Sequence, residues 1–135
     1  MLEREYSMEK DVQYKAGIDI DGTITDPATF IPFLNKAFNK NFTLEDITQY
    51  HLPPLLGVSE EEFWDWMKRH EKAIYAQAPP AKAAKKVLER LARRYQLIYI
   101  TARPQYLKDV TVQWMERHRF PYHHIDLLGS HQKVE

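Results

Sequence analysis

Three largely apolar stretches of strand length, 14–20, 97–101 and 125–128, interrupt a chain whose other apolar positions recur at helical spacing. Each ends at a turn-forming or hydroxyl-bearing residue. The pattern therefore predicts buried strands at Tyr14 to Ile20, Leu97 to Thr101 and Ile125 to Leu128. After the first stretch, Asp26-Pro27 opens a segment in which Phe30, Ile31, Leu34 and Phe38 share one face of a helix. Thr43-Leu44-Glu45-Asp46 is a candidate helix start, and Leu52-Pro53-Pro54 predicts a break. Ser59-Glu60-Glu61-Glu62 has the S-x-x-E form that opens a helix, followed by a stripe of Phe63, Trp66, Met67, His70 and Ile74. Pro79-Pro80 closes that unit. A further helix is expected over about 81–94, with Ala84, Val87, Leu88 and Leu91 inward and a solvated basic face of Lys82, Lys85, Lys86, Arg90 and Arg93. A last one is expected over about 104–118, carrying Leu107, Val110 and Trp114.

Strands separated by helices imply an α/β doubly wound parallel sheet with right-handed crossovers. The material between the first two strands is too long for one crossover. Residues 1–25 and 79–135 are therefore read as the α/β core, and 26–78 as a helical insert. The residues before Tyr14 read as a polar lead-in. At 135 residues and 44% apolar content, the chain can bury one modest core. Its 19 basic and 19 acidic residues cancel, so no global field recruits a nucleic-acid polymer or an anionic membrane. Cysteine is absent and no apolar run suits a leader or a membrane span, which makes the cytoplasm the default location.

The chemistry concentrates at Asp19-Ile20-Asp21-Gly22-Thr23, where two carboxylates leave the end of the first strand as Gly22 turns the backbone. One carboxylate can attack phosphorus and the other can handle the leaving-group proton. The second strand ends in Thr101-Ala102-Arg103-Pro104, where a hydroxyl beside backbone N–H groups can hold a phosphate oxygen. The third is followed by Gly129-Ser130-His131-Gln132-Lys133. A lysine there offsets charge on a transferring phosphoryl group, against the ordinary role of a solvated terminal Lys.

The DxDGT form with Ile24 after it resembles the first motif of the haloacid dehalogenase superfamily of aspartyl-phosphate hydrolases, with Thr101 and Lys133 at its second and third motifs. The resemblance implies a phosphomonoester hydrolase in which Asp19 is the nucleophile, Asp21 the acid and base, and Thr101 and Lys133 the phosphoryl holders, with Gly22, Thr23 and Ala102 beside the substrate. It also implies a magnesium ion held by Asp19 and the carbonyl of Asp21, and a helical cap formed by 26–78 that closes over the site. The family's fourth, acidic motif is not found before Glu135. A truncated sheet is therefore expected, together with a rival reading as a catalytically impaired remnant that binds phosphate or self-associates.

Within the superfamily, Phe63-Trp64-Asp65-Trp66 and Tyr99 to Pro104 resemble the 5′(3′)-deoxyribonucleotidase group and its bacterial nucleotidase-like relatives. That implies a small phosphorylated substrate such as a deoxynucleoside monophosphate. Trp64 falls off the apolar stripe and is a candidate to stack on a base, whereas Trp66 falls on it and is read as core. Arg103 is a candidate to grip a phosphate bidentately, to cap a helix or to pair with an acid. His118, His123, His124 and His131 lack zinc-ligand spacing and are read as polar loop groups and packers. An uncovered first strand predicts a homodimer through the sheet edge or through exchange of an element.

Overall fold

In the computed structural model, which describes residues 14–47 and 52–129, the three apolar stretches form one parallel sheet. Strand β1 spans Lys15–Ile18, β2 spans Gln96–Thr101 and β3 spans His124–Leu127, in the order β1-β2-β3. Gly17 lies opposite Ile98, and Tyr99 opposite Ile125, so all three strands point their carboxyl ends the same way. β2 is central and buries Leu97, Tyr99 and Thr101 on alternate positions.

β1 departs from the expected buried strand. It is four residues long, Tyr14 is 80% exposed, and Lys15 and Gly17 face solvent. Among the described residues it pairs with β2 alone, so it forms a sheet edge and only half of it is covered.

Among the described residues there are five α-helices: α1 Ile31–Phe38, α2 Leu52–Leu56, α3 Glu60–Ala76, α4 Ala84–Leu91 and α5 Lys108–Arg117. The Ser59 hydroxyl accepts from the N–H of Glu62 at 3.1 Å, which is the cap that its S-x-x-E form predicts. Two expectations are corrected. Thr43 opens only a 3-10 turn, Leu44–Asp46, in which the Asp46 carboxylate accepts from the Thr43 N–H at 2.8 Å. Pro53 and Pro54 do not merely break the chain. They sit in the first turn of α2, where a missing N–H costs nothing.

Two apolar clusters result. Ile20, Ile24, Leu88, Leu97, Tyr99 and Trp114 belong to the one around the sheet. The other joins Leu34, Leu56, Phe63, Trp66 and Ile74 from α1, α2 and α3, with Trp66 edge-on to Phe38 at 5.3 Å. The buried polar tips are satisfied: the Tyr99 hydroxyl donates to the Pro121 carbonyl, and Trp114 Nε1 to that of Ala78, each at 2.7 Å.

Chain departure and return lie side by side. The Asp26 N–H donates to the Pro79 carbonyl and the Ala81 N–H to the Ile24 carbonyl, each at 2.8 Å, around an antiparallel bridge between Thr25 and Pro80. No helix of the described residues is long and apolar enough to cross a membrane.

Candidate active site

The turn after β1 is built on one carbonyl. The N–H groups of Thr23, Ile24 and Thr25 converge on the oxygen of Ile20, at 3.1, 2.9 and 3.3 Å, and Gly22 takes φ +78° to allow it. Buried Thr25 completes the turn by accepting from the Gly22 N–H at 3.1 Å. This role is not visible in the motif. Ile20 and Ile24 are buried beneath the turn, which leaves Asp19 half-buried and Asp21, Gly22 and Thr23 at the surface.

Beside this turn, Thr101 ends β2 almost fully buried, and its Oγ1 accepts from the Arg103 N–H at 3.1 Å. The N–H nearest to that hydroxyl is therefore already used. The helix expected directly after Pro104 starts later, because a 3-10 turn, Gln105–Leu107, precedes α5. Gln105 ties that turn to the end of β3 through a 2.8 Å bond from its Nε2 to the Leu127 carbonyl. The Gly129 N–H donates to the Arg103 carbonyl at 3.2 Å, so the ends of β2 and β3 meet here. Lys133 lies outside the described residues.

Of the three roles open to Arg103, the structure displays pairing with an acid, and that acid is Asp21. Its Nε donates to Asp21 Oδ2 at 3.1 Å and its Nη2 to Oδ1 at 2.7 Å, a bidentate fork. The side chain is nearly fully buried while that of Asp21 is 39% exposed. Nη1 donates to Thr111 Oγ1 at 2.9 Å, and the guanidinium lies 3.8 Å from the ring centre of Tyr75 in α3. Burial, with the negative charge of Asp21 next, pushes the Tyr75 hydroxyl well above the ordinary tyrosine value. Phe30 packs edge-on against the same ring at 5.4 Å.

A cavity of about 720 Å³ opens beyond this pair. Its floor is Asp21, Ala102, Arg103 and Gly129, and its walls are mainly apolar, with Phe30, Leu52, Trp64 and Met67 among them. Glu71 and Lys68 of α3 also line it. Glu71 is buried, and the Tyr106 hydroxyl donates to its Oε1, which raises the tyrosine above its usual value. Trp64 is 56% exposed at the cavity, whereas Trp66 is buried against Phe38, as the apolar stripe predicts. Asp21, Ala102, Arg103 and Trp64 are thus brought together around one cavity, while Gly22 and Thr23 lie at the surface and are not among its lining residues. Glu71, Tyr75, Tyr106 and Thr111 belong to the arrangement, although periodicity alone gives no sign of them.

The donor chemistry fits magnesium in part. The Asp19 carboxylate and the Asp21 carbonyl are hard oxygens of the kind that ion prefers, with water and substrate able to fill its remaining positions. Among the described residues no group of three or more His, Asp or Glu is placed to hold a metal. The histidines have other contacts. His123 Nδ1 accepts from the Leu97 N–H at 2.8 Å, His124 Nε2 meets Asp126 at 2.6 Å, and burial lowers His118, which packs 4.7 Å from Trp114. His131 lies outside the described residues.

Known proteins resemble this chain in sequence or in fold. "Putative nucleotidase BH1399" of Halalkalibacterium halodurans is 52% identical over 123 residues, which are 91% of this chain and 63% of that protein. "Putative nucleotidase YqfW" of Bacillus subtilis is 50% identical over 121 residues, 90% of this chain and 63% of that protein. The chain thus spans less than two thirds of the length of these relatives. Among solved structures, a "putative HAD-hydrolase YfnB" of Bacillus subtilis, reported "bound to magnesium", superposes with a TM-score of 0.53 at 12% identity over 85% of this chain and 65% of that one. A "putative beta-phosphoglucomutase" of Thermotoga maritima gives 0.51 at 14% identity over 88% and 62%. These two likenesses concern the fold alone, a parallel sheet with helices like that of the two proteins. Residues 60–134 match the family model described as PITM 1-3, LNS2 domain; this is more than half of the chain, which accordingly belongs to that family.

Proposed function

We propose that the chain is the catalytic part of a cytoplasmic phosphomonoester hydrolase acting on a deoxynucleoside monophosphate or a similar small phosphate ester. The observation that carries this reading is the pair of carboxylates leaving an edge strand beside Thr101, with a mainly apolar cavity beyond Asp21. Asp19 attacks phosphorus and forms an aspartyl-phosphate, and the bond to the leaving oxygen breaks with its electrons going to that oxygen. Asp21 gives that oxygen its proton, then takes one from the water that attacks the aspartyl-phosphate. In the fork with Arg103, Asp21 is a carboxylate with a lone pair left on each oxygen, and there it takes up from solvent the proton that it then gives to the leaving oxygen. Thr101 and Lys133 hold the phosphoryl oxygens, with Gly22, Thr23 and Ala102 lining its approach. Magnesium, bound by Asp19 and the Asp21 carbonyl, would supply charge neutralisation at the phosphoryl group.

Residues 26–78 act as a cap on a core of 1–25 and 79–135. The paired backbone bonds at 24–26 and 79–81, and the separate apolar cluster of α1 to α3, support that division. Trp64, exposed at the cavity, stacks on the base. Two copies associate through β1, whose outer edge has no strand beside it among the described residues; sedimentation at micromolar concentration showing a monomer would end that part of the reading. The main test is release of phosphate from a deoxynucleoside monophosphate. It should require magnesium and vanish in Asp19→Asn, and turnover that survives both chelation and the substitution would remove Asp19 as nucleophile.

A further inference from the structure

A carboxylate in a mainly apolar wall is costly unless it is given partners, and Glu71 is such a group. It lies four residues before Tyr75 on α3, so it stands one helical turn, about 6 Å along the axis, from the ring that carries Arg103 and, through it, Asp21. It therefore addresses the part of a bound molecule remote from the reacting phosphate. Trp64 and Met67, on the same side of α3, together with Phe30 make flat apolar walls around it. The Tyr106 hydroxyl donates one hydrogen bond to Oε1, whereas two carboxylate oxygens accept about four.

We propose that Glu71 is a specificity-determining residue that accepts a hydrogen bond from an exocyclic amine on the edge of an aromatic ring held in this cavity. Carboxylate acceptance from a ring amine is an established geometry of base reading. The inference rests on the reading of the cavity as the place of the leaving group and narrows that group to an amino-bearing ring. A ring without the amine would cover the carboxylate and give it nothing in return, and the loss of such a charge-assisted bond is about tenfold or more in affinity.

The test uses nucleosides rather than nucleotides, so that it needs no turnover. Calorimetric titration compares 2′-deoxyadenosine with purine 2′-deoxyriboside, which lacks only the amine. The unsubstituted protein should bind the amine about tenfold or more tightly. Glu71→Gln, folded by its unfolding midpoint, should reduce that preference to within about threefold. Tyr106→Phe, which frees a lone pair on Oε1 and keeps the carboxylate, should retain the preference even if the Gln variant fails to fold. Equal affinities in the unsubstituted protein, no binding of either nucleoside at millimolar concentration, a preference unchanged in Glu71→Gln, or its loss in Tyr106→Phe would each overturn the assignment. Failure of the phosphatase reading shows separately, as absence of phosphate release by the unsubstituted protein from phenyl phosphate, which lacks the amine.

Discussion

Replacing Arg103 with methionine keeps an unbranched apolar stem and removes everything its guanidinium does. Three hydrogen bonds end, two of them charge-assisted to Asp21, along with the contact to the Tyr75 ring. Breaking a fully buried ion pair costs about 3–5 kcal/mol, and losing an exposed one under about 1. The Arg103–Asp21 pair falls between these limits, because only the arginine is buried: its side chain is 3% exposed against 39% for the aspartate. Arg103→Met leaves behind a carboxylate that water can reach, so the expected loss is about 2 kcal/mol, a drop of roughly 8 °C in midpoint for a domain of this size. Asp21→Ala does the opposite and strands the buried cation, with only Thr111 and the Tyr75 face to hold it. Its cost should be the larger, about 3 kcal/mol. Urea unfolding of both single variants and the double one measures the two costs and a coupling of about 1–2 kcal/mol. The reverse order of costs, or a coupling below about 0.3 kcal/mol, would show that the fork is not what fixes Asp21.

Ser59→Ala should lower stability by about 1 kcal/mol in the same assay, since the hydroxyl caps α3 at Glu62, and Ser59→Asp should restore it. Trp64→Ala should weaken binding of a deoxynucleoside monophosphate by about 1–3 kcal/mol in calorimetry while altering stability by no more than about 0.5, because the ring is exposed; the opposite pattern would make Trp64 a packing residue. Tyr75, Tyr99 and Tyr106 all hold their protons more tightly in the folded chain, burial leading for the first two and the bond to Glu71 for the third. The folded state thus gains from their protonation; that stability is fully present below about pH 10 and is lost as pH rises beyond it. Unfolding midpoints that stay level from about pH 8 to pH 11, or a Tyr75→Phe variant with undiminished slope, would contradict this.

Local chemistry in this chain was legible in its sequence, and partnership across it was not. The strands could be read because each is a short apolar stretch closed by a turn residue, and the Ser59 cap because its two members are three residues apart. The Asp21–Arg103 fork joins residues 82 positions apart, so spacing left Arg103 with three open roles. Nothing in the spacing singles out Glu71 or Tyr106, since a helical period separates faces without saying which face meets a cavity. Pro53 and Pro54 were misread for a similar reason: a proline ends a helix from within and begins one from its first turn, and only the neighbouring fold decides. The edge position of β1 was expected from the family resemblance and not from any local pattern, because it depends on which strands lie beside it, a property of the sheet that no stretch of fifteen residues contains.

The clasp at Thr25 and Pro80 has a consequence for how this architecture can vary. Two backbone bonds of 2.8 Å hold the ends of the segment between them together without the help of any side chain within it. The entropy of closing a loop grows only with the logarithm of its length, about 0.6 kcal/mol for each doubling. A core that already fixes both ends can therefore carry a much longer or shorter excursion at small expense to its own stability. Thr25 and Pro80 are in effect a grafting point, where the excursion between them can be exchanged for another while the sheet and the turn at Asp19 stay as they are.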